Sequence, residues 1–348
     1  MNLASWSPVR AEPDFNNLLR VLRREQPTRP TLFELFLNEP LFRFLVGAEA
    51  DRIAARRPYG DKLLGMTAFR NAGYDYYTVR VPGLQFPSGA HDQKATISQN
   101  EGVMIRDRAS FDAYPWPDPA VADYTVLDVL AREMPCGMKM VACGPGGVLE
   151  NVTGLLGYEN LCYLIADDEK LTADVFDAVG SRLLAFYERV VQHDAVGAII
   201  SNDDWGFKSQ PLLPPDSLRR FVFPWHRRIV AAAHRAGKPA ILHSCGNLAS
   251  LMDEIIDDLG FDAKHSYEDS ILPVEQAYAQ YGSRIAIVGG IDVDFVCRAT
   301  PEQLYQRSRA MLTLSNSRGY ALGTGNSVPQ YVPTENYLAM IRAATEGR

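Results

Sequence analysis

No stretch of this chain approaches the roughly 20 uninterrupted apolar residues that a membrane span requires. Its first residues, Met1-Asn-Leu-Ala-Ser-Trp-Ser-Pro8, lack the charged start and apolar core of a secretion signal. Basic residues are scattered rather than clustered. With 35 Lys and Arg against 42 Asp and Glu, the net charge of −7 argues against nucleic acid as a partner. Cysteine is scarce: five residues, an odd number with no close-set framework, point to a reducing, cytoplasmic home rather than a disulfide scaffold. There is no low-complexity linker. What is present, 348 residues at 47% hydrophobic, suffices for two domains or one large α/β barrel.

Eight short apolar runs decide between those two. They lie at 31–36, 74–79, 138–142, 198–201, 240–243, 263–265, 285–288 and 320–322, separated by longer stretches of helical periodicity. Residues 216–236 carry Leu218, Phe221, Val222, Trp225, Ile229 and Val230 at three- and four-residue steps, with Pro224 implying a kink or break. A second periodic stretch runs from Leu248 to Leu259 and stops at Gly260. Thr300-Pro301 reads as an N-cap followed by proline at the first helical position, and Pro333-Thr-Glu opens a closing helix by similar means. Strand–helix alternation repeated eight times predicts one domain over 1–348, a single (β/α)8 TIM barrel. Residues 1–28 form an N-terminal helical extension in this reading. The proline-rich 80–130 is a long excursion after strand two, over the barrel mouth.

In such a barrel, chemistry sits at the C-terminal strand ends. The fifth run, Ala240-Ile-Leu-His-Ser-Cys-Gly246, is the most informative: residues two apart on a strand share a face, so His243 and Cys245 emerge side by side. That is half of a soft-metal site, with zinc the expected ion. Taken alone, a core histidine beside a buried cysteine explains the triplet better, because metal sites usually need three ligands. The other strand ends shift the balance. They place Glu34 and Asn38, then Tyr76, Tyr77 and Arg80, then Cys143, then Asp203, Asp204 and Trp205. His265 and Glu268 follow, then Gly290 and Asp292, and finally Thr324 and Asn326. Asp203-Asp204 also suits a turn cap, Cys143 a buried small hydrophobe, and Cys136, Cys162 and Cys297 carry no site signal. His91, His193, His226 and His234 carry none either.

Taken together, several motifs resemble the uroporphyrinogen decarboxylase superfamily, which includes the cobalamin-dependent (corrinoid) methyltransferases. They are Arg23-Arg-Glu-Gln-Pro-Thr-Arg-Pro30, Asp203-Asp-Trp-Gly206, Leu213-Pro-Pro-Asp216, His243-Ser-Cys-Gly-Asn247, Gly289-Gly-Ile-Asp292 and Pro329-Gln-Tyr-Val-Pro-Thr-Glu-Asn336. The resemblance covers nearly the whole chain and implies one (β/α)8 barrel. The decarboxylase branch places paired arginines after strand one and a histidine after strand eight. Here Phe33-Glu-Leu-Phe-Leu-Asn38 and Thr324 stand there, which disfavours haem biosynthesis. The methyltransferase branch holds zinc with His-x-Cys after strand five and a second cysteine after strand eight. His243 and Cys245 match the first part, while the second falls at Asn326.

The resemblance therefore implies a zinc-dependent methyltransferase that exchanges a methyl group between a small substrate, an O-methyl compound among them, and the cobalamin of a partner corrinoid protein. No Asp-x-His-x-x-Gly corrinoid motif occurs in the chain, so the corrinoid would arrive on that partner. Zinc on His243 and Cys245 needs a third ligand; Glu268 is the first choice because strand six neighbours strand five, with His265 and Asp203 as alternatives. Asp203, Asp204 or Glu34 would move a proton. Tyr76, Tyr77, Arg80 and Trp205 would hold the substrate, and Gly290, Asp292 and Asn326 would meet the corrinoid. A homodimer is compatible with the resemblance. The competing readings are a decarboxylase or lyase on an acidic substrate, with Arg80 as carboxylate clamp, and a non-catalytic barrel that binds a tetrapyrrole or corrinoid.

Overall fold

All eight apolar runs form strands: β1 (Thr31–Leu32), β2 (Tyr76–Arg80), β3 (Lys139–Cys143), β4 (Val196–Asn202), β5 (Ala240–His243), β6 (Ala263–His265), β7 (Ala286–Val288) and β8 (Tyr320–Leu322). This is a computed structural model that describes residues 6–10, 12–87, 89 and 100–346. The strands join one parallel sheet in the order β1-β8-β7-β6-β5-β4-β3-β2, with helices in the connections. That is the TIM-barrel architecture, reached because each buried strand must cover both faces.

Among the described residues no ladder links β1 to β2. Side chains bridge that seam instead. The Tyr76 hydroxyl donates to the Glu34 carbonyl (2.6 Å) and accepts from the Glu34 amide (2.7 Å), and Thr78 reaches the same carbonyl. β1 is short for this reason: beyond Phe33, whose amide still bonds to Leu322, its backbone groups turn to a phenol rather than a strand.

The N-terminal extension supplies the helix Asn16–Leu22, which buries Leu18, Val21 and Leu22. Phe15 packs so closely under Gly197, at the start of β4, that a Cβ there would lie 2.4 Å from its ring. The helix thus covers the end of the barrel opposite the site. The 216–236 stretch breaks as Pro224 implies: a turn at Pro215–Ser217, a π-helical turn at Leu218–Val222, then the helix Phe223–Arg235, whose first turn absorbs the proline. The stretch ending at Gly260 is less regular than its periodicity predicts, with a 3-10 turn at Ala249–Leu251 and a π-helical turn at Glu254–Asp258.

The long excursion after β2 is present. Met104 and Ile105 both donate to the Leu155 carbonyl, fastening its described part to the helix Val148–Leu156. Residues 88 and 90–99, including His91, lie outside the described residues.

Candidate active site

Register brings the site together. Asn202 pairs with His243 and His243 with His265, so three strand-end side chains share one level of the inner face. Arg80 pairs with Cys143 and Cys143 with Ile200, two residues before Asn202 on the same face.

The loops after β4 and β5 then meet. A Cβ on Gly246 would lie 2.2 Å from the Gly206 backbone, and one on Gly206 would lie 2.7 Å from the Cys245 carbonyl. Only glycines allow this approach, and Gly246 also takes φ +83°. Three bonds lock the contact: the Cys245 amide to Asp204 Oδ1 (2.8 Å), the Trp205 amide to Ser244 Oγ (3.0 Å) and the Asn247 amide to the Phe207 carbonyl (2.7 Å).

Asp204, His243 and Cys245 consequently present ligand atoms within 4.8 Å of one another. Cys245 Sγ lies 3.7 Å from His243 Nε2, which lies 4.0 Å from Asp204 Oδ1. A tetrahedral zinc with bonds of about 2.0–2.3 Å places neighbouring ligand atoms roughly 3.3–3.6 Å apart. The trio needs only a small contraction to fit.

The histidine tautomer follows from its partners. His265 Nε2 faces the Thr324 carbonyl at 3.0 Å and must donate to it. Burial holds His265 neutral, pushed down to about 4, so its Nδ1 carries a lone pair. His243 Nδ1, 2.7 Å away, is therefore the donor in that pair. Burial, with His265, Lys264 and Arg80 nearby, keeps His243 neutral as well. Its Nε2 is left as a bare lone pair facing Cys245 and Asp204.

The sulfur is surrounded by donors, with Asn326 Nδ2 at 3.2 Å and Ser266 Oγ at 3.6 Å. Burial and the Asp204 charge nevertheless push the Cys245 thiol up to about 12. Burial also raises Asp204, against hydrogen bonds from Cys245. A lone pair, a sulfur and a carboxylate converging on one point repel one another; a divalent cation held there would relieve that repulsion and favour the thiolate.

Several expected residues stand elsewhere. Glu268 is not in the trio; it lines a cavity of about 900 Å³ beside it, with Tyr267, Asp292, Asn326 and Tyr331, and Asn326 is the wall shared with Cys245. Asp203 is fully buried behind the site, where its carboxylate accepts from the Leu149 and Glu150 amides, Trp205 Nε1 and His226 Nε2. It holds a helix N-terminus and has no oxygen left for a substrate proton. Glu34 is likewise sealed, bonded to the Thr324 amide at 2.8 Å. Burial pushes its carboxyl up to about 8 despite the hydrogen bonds from Thr324.

The expected aromatic substrate pocket does not form. Tyr76 sits inside the barrel under Glu34, Tyr77 points outward onto Gly65 and Phe69, and Trp205 packs on Phe223 and His226. Gly290, at φ +108°, is pressed against Val274 and serves a turn. Asp292 lines the cavity with one edge while capping the helix Val293–Arg298 with Oδ1. Arg80 is exposed at the mouth, its guanidinium 4.1 Å from the Phe36 ring centre and without an ion pair among the described residues. Cys143 is buried as anticipated.

Glu150 and His226 carried no strand-end signal. Glu150 opens the helix Val148–Leu156, and its Oε2 accepts from the Gly147 amide and Asn202 Nδ2. Burial, reinforced by Asp203 and Asp204, pushes it up to about 8. Gly147-x-x-Glu150 carries only the returning half of a capping box, Glu150 onto the Gly147 amide, because glycine has no side chain and Asp203 caps the Glu150 amide instead.

The sequence pattern of the Uroporphyrinogen decarboxylase (URO-D) family matches residues 106–347. A uroporphyrinogen decarboxylase of Anaeromyxobacter dehalogenans is 27% identical over 251 residues, 70% of this chain and 69% of that protein. A methylcobamide:CoM methyltransferase of Methanosarcina acetivorans is 20% identical over 307 residues, 85% of each chain. In three dimensions, a methyltransferase from Methanosarcina mazei superposes with a TM-score of 0.72 at 15% identity, over 95% of this chain and 97% of that one, which bears on the fold. With the family pattern spanning most of the barrel and every strand from β3 to β8, this chain belongs to the uroporphyrinogen decarboxylase family.

Proposed function

We propose that the chain is a zinc-dependent methyltransferase that moves a methyl group between a small substrate and the cobalamin of a partner corrinoid protein. The observation that carries this reading is the convergence of Asp204, His243 and Cys245 at spacings a tetrahedral zinc can close. A relative named for methylcobamide and CoM supports the methyl-transfer class. Asp204 Oδ1 or Oδ2, His243 Nε2 and Cys245 Sγ would hold the ion, which supplies Lewis acidity toward the heteroatom bearing the methyl group. Replacing a second thiolate by the Asn326 amide leaves the donor set less electron-rich, which suits an oxygen leaving group. Glu150, whose proton is held near neutral pH, stands at the mouth to protonate the departing atom. The cavity beside Asn326 would admit the corrinoid edge. The test is incubation of zinc-loaded protein with cob(I)alamin and a panel of methoxy compounds, followed by the visible spectrum. Appearance of methylcobalamin supports the reading; none across the panel, with zinc bound, counts against it.

Two further outcomes follow. His265→Ala removes the acceptor that orients His243, and zinc affinity falls roughly 10–100-fold, as for other partners of metal-bound imidazoles. Competition with a chromogenic chelator reads this directly, and unchanged affinity would refute the tautomer argument. Arg80 lies exposed against the Phe36 ring at the end of β2 and would meet an anionic group on the substrate. Arg80→Met raises KM for 4-methoxybenzoate about 10-fold while leaving 4-methoxybenzamide unaffected, the scale of one solvated charge-assisted hydrogen bond. Equal losses for acid and amide would remove Arg80 from substrate recognition.

A further inference from the structure

Both arms of the trio end on the loop after β8. His243 leans on His265, which donates to the Thr324 carbonyl, and Cys245 accepts from Asn326, two residues beyond Thr324. Thr324 in turn is gripped by Glu34 across the β1–β8 pairing: the Thr324 amide donates to Oε1 at 2.8 Å, and Thr324 Oγ1 lies 2.5 Å from Oε2. The same hydroxyl also contacts the Asn326 carbonyl.

Counting protons settles the charge of this group. A threonine hydroxyl has one proton, so it cannot serve both Glu34 Oε2 and the Asn326 carbonyl. With an ionised Glu34, one of those two acceptors would face Oγ1 without a hydrogen between them. With the proton on Oε2 every group is satisfied: Oε2–H donates to Thr324 Oγ1, Oγ1–H donates to the Asn326 carbonyl, and Oε1 accepts the Thr324 amide. The titratable groups around Glu34 agree. Tyr74, Tyr76, Tyr320 and Tyr337 are all phenols that burial raises, and His265 on β6 is held neutral. None supplies a cation to stabilise a carboxylate.

We propose that Glu34 is a positioning residue that works as a neutral acid, its proton donated through Thr324 to the Asn326 backbone so that the β8 loop holds Cys245 and His243 on a common point. The inference rests on the zinc reading for what is held, and on hydrogen-bond geometry alone for the protonated carboxyl. Glutamine can reproduce the arrangement, donating from Nε2 to Thr324 Oγ1 and accepting at Oε1; alanine cannot.

The test has two arms. In the first, the infrared difference between wild type and Glu34→Gln at pH 7 shows a protonated-carboxyl C=O band that belongs to Glu34. Its absence overturns the proposal whether or not the protein binds zinc. In the second, zinc affinity is measured by chelator competition from pH 7 to pH 9.5. Glu34→Gln matches wild type at pH 7, whereas Thr324→Val, which keeps the fold's volume and loses the relay, falls about 10-fold. As pH rises past 8, wild type weakens relative to Glu34→Gln, because only the carboxyl can ionise. A constant ratio across that range, or a glutamine variant as weak as Thr324→Val at pH 7, refutes the positioning role. If wild type binds no zinc at all, the function proposed above fails, while the infrared arm still decides the state of Glu34.

Discussion

Cys245→Ala strips the protein of zinc, from about one ion per chain to near none, and lowers methyl transfer by roughly three orders of magnitude or more. The size follows from what is lost. The sulfur is the trio's softest ligand and already faces two hydrogen-bond donors, Asn326 and Ser266, that favour its anionic form. Without it, His243 and Asp204 remain as two neutral-to-weak donors about 4.0 Å apart. Elemental analysis after dialysis reads the zinc, and cobalamin absorbance reads the transfer. Asp204→Ala repeats the zinc loss, whereas Glu268→Gln keeps zinc and alters only what the adjoining cavity admits. Full zinc occupancy in Asp204→Ala, with loss in Glu268→Gln, would transfer the third position to Glu268 and overturn the geometry argued here.

That contrast marks where the sequence was legible. Every strand was readable, because short apolar runs between periodic stretches leave few alternatives. His243 and Cys245 were readable because strand parity places them together. Choosing Glu268 rested on β6 neighbouring β5, yet β4 neighbours β5 equally. Parity would have sorted the aspartates as well: Asn202 faces inward beside His243, so Asp204 shares its face and Asp203 takes the opposite one. The same rule separates Tyr76, inside the barrel, from Tyr77, outside it. What parity cannot supply is the approach of two loops. The back-to-back contact of Gly206 and Gly246 that delivers Asp204 to Cys245 depends on φ +83° at one glycine and on distances of a few ångströms. Glu150 and His226 sit on helices, where no strand end advertises them.

The two adjacent aspartates should accordingly separate under mutation. Asp203→Ala strands four buried donors at once: the Leu149 and Glu150 amides, Trp205 Nε1 and His226 Nε2. Each unsatisfied buried group costs about 1–3 kcal/mol, partly recovered where water can enter, so a total on the order of 4 kcal/mol is expected. Against a total stability of roughly 5–15 kcal/mol, that is a large fraction. For a chain of this length it corresponds to a Tm lower by about 5 °C, and to a matching shift in the urea midpoint. Gly147→Ala reaches the same end from the other side, because its Cβ would lie 2.1 Å from the Asp203 carboxyl and force it off the helix N-terminus. Asp204→Ala, measured on zinc-free protein, leaves the Tm almost unchanged, since its exposed edge loses chiefly the Cys245 amide bond. Zinc-free Asp203→Ala that melts with wild type would mean that Asp203 does not carry the helix and belongs with the chemistry. A fall in both stability and helix content, with zinc binding retained in the folded fraction, would place Asp203 in the scaffold and Asp204 at the metal.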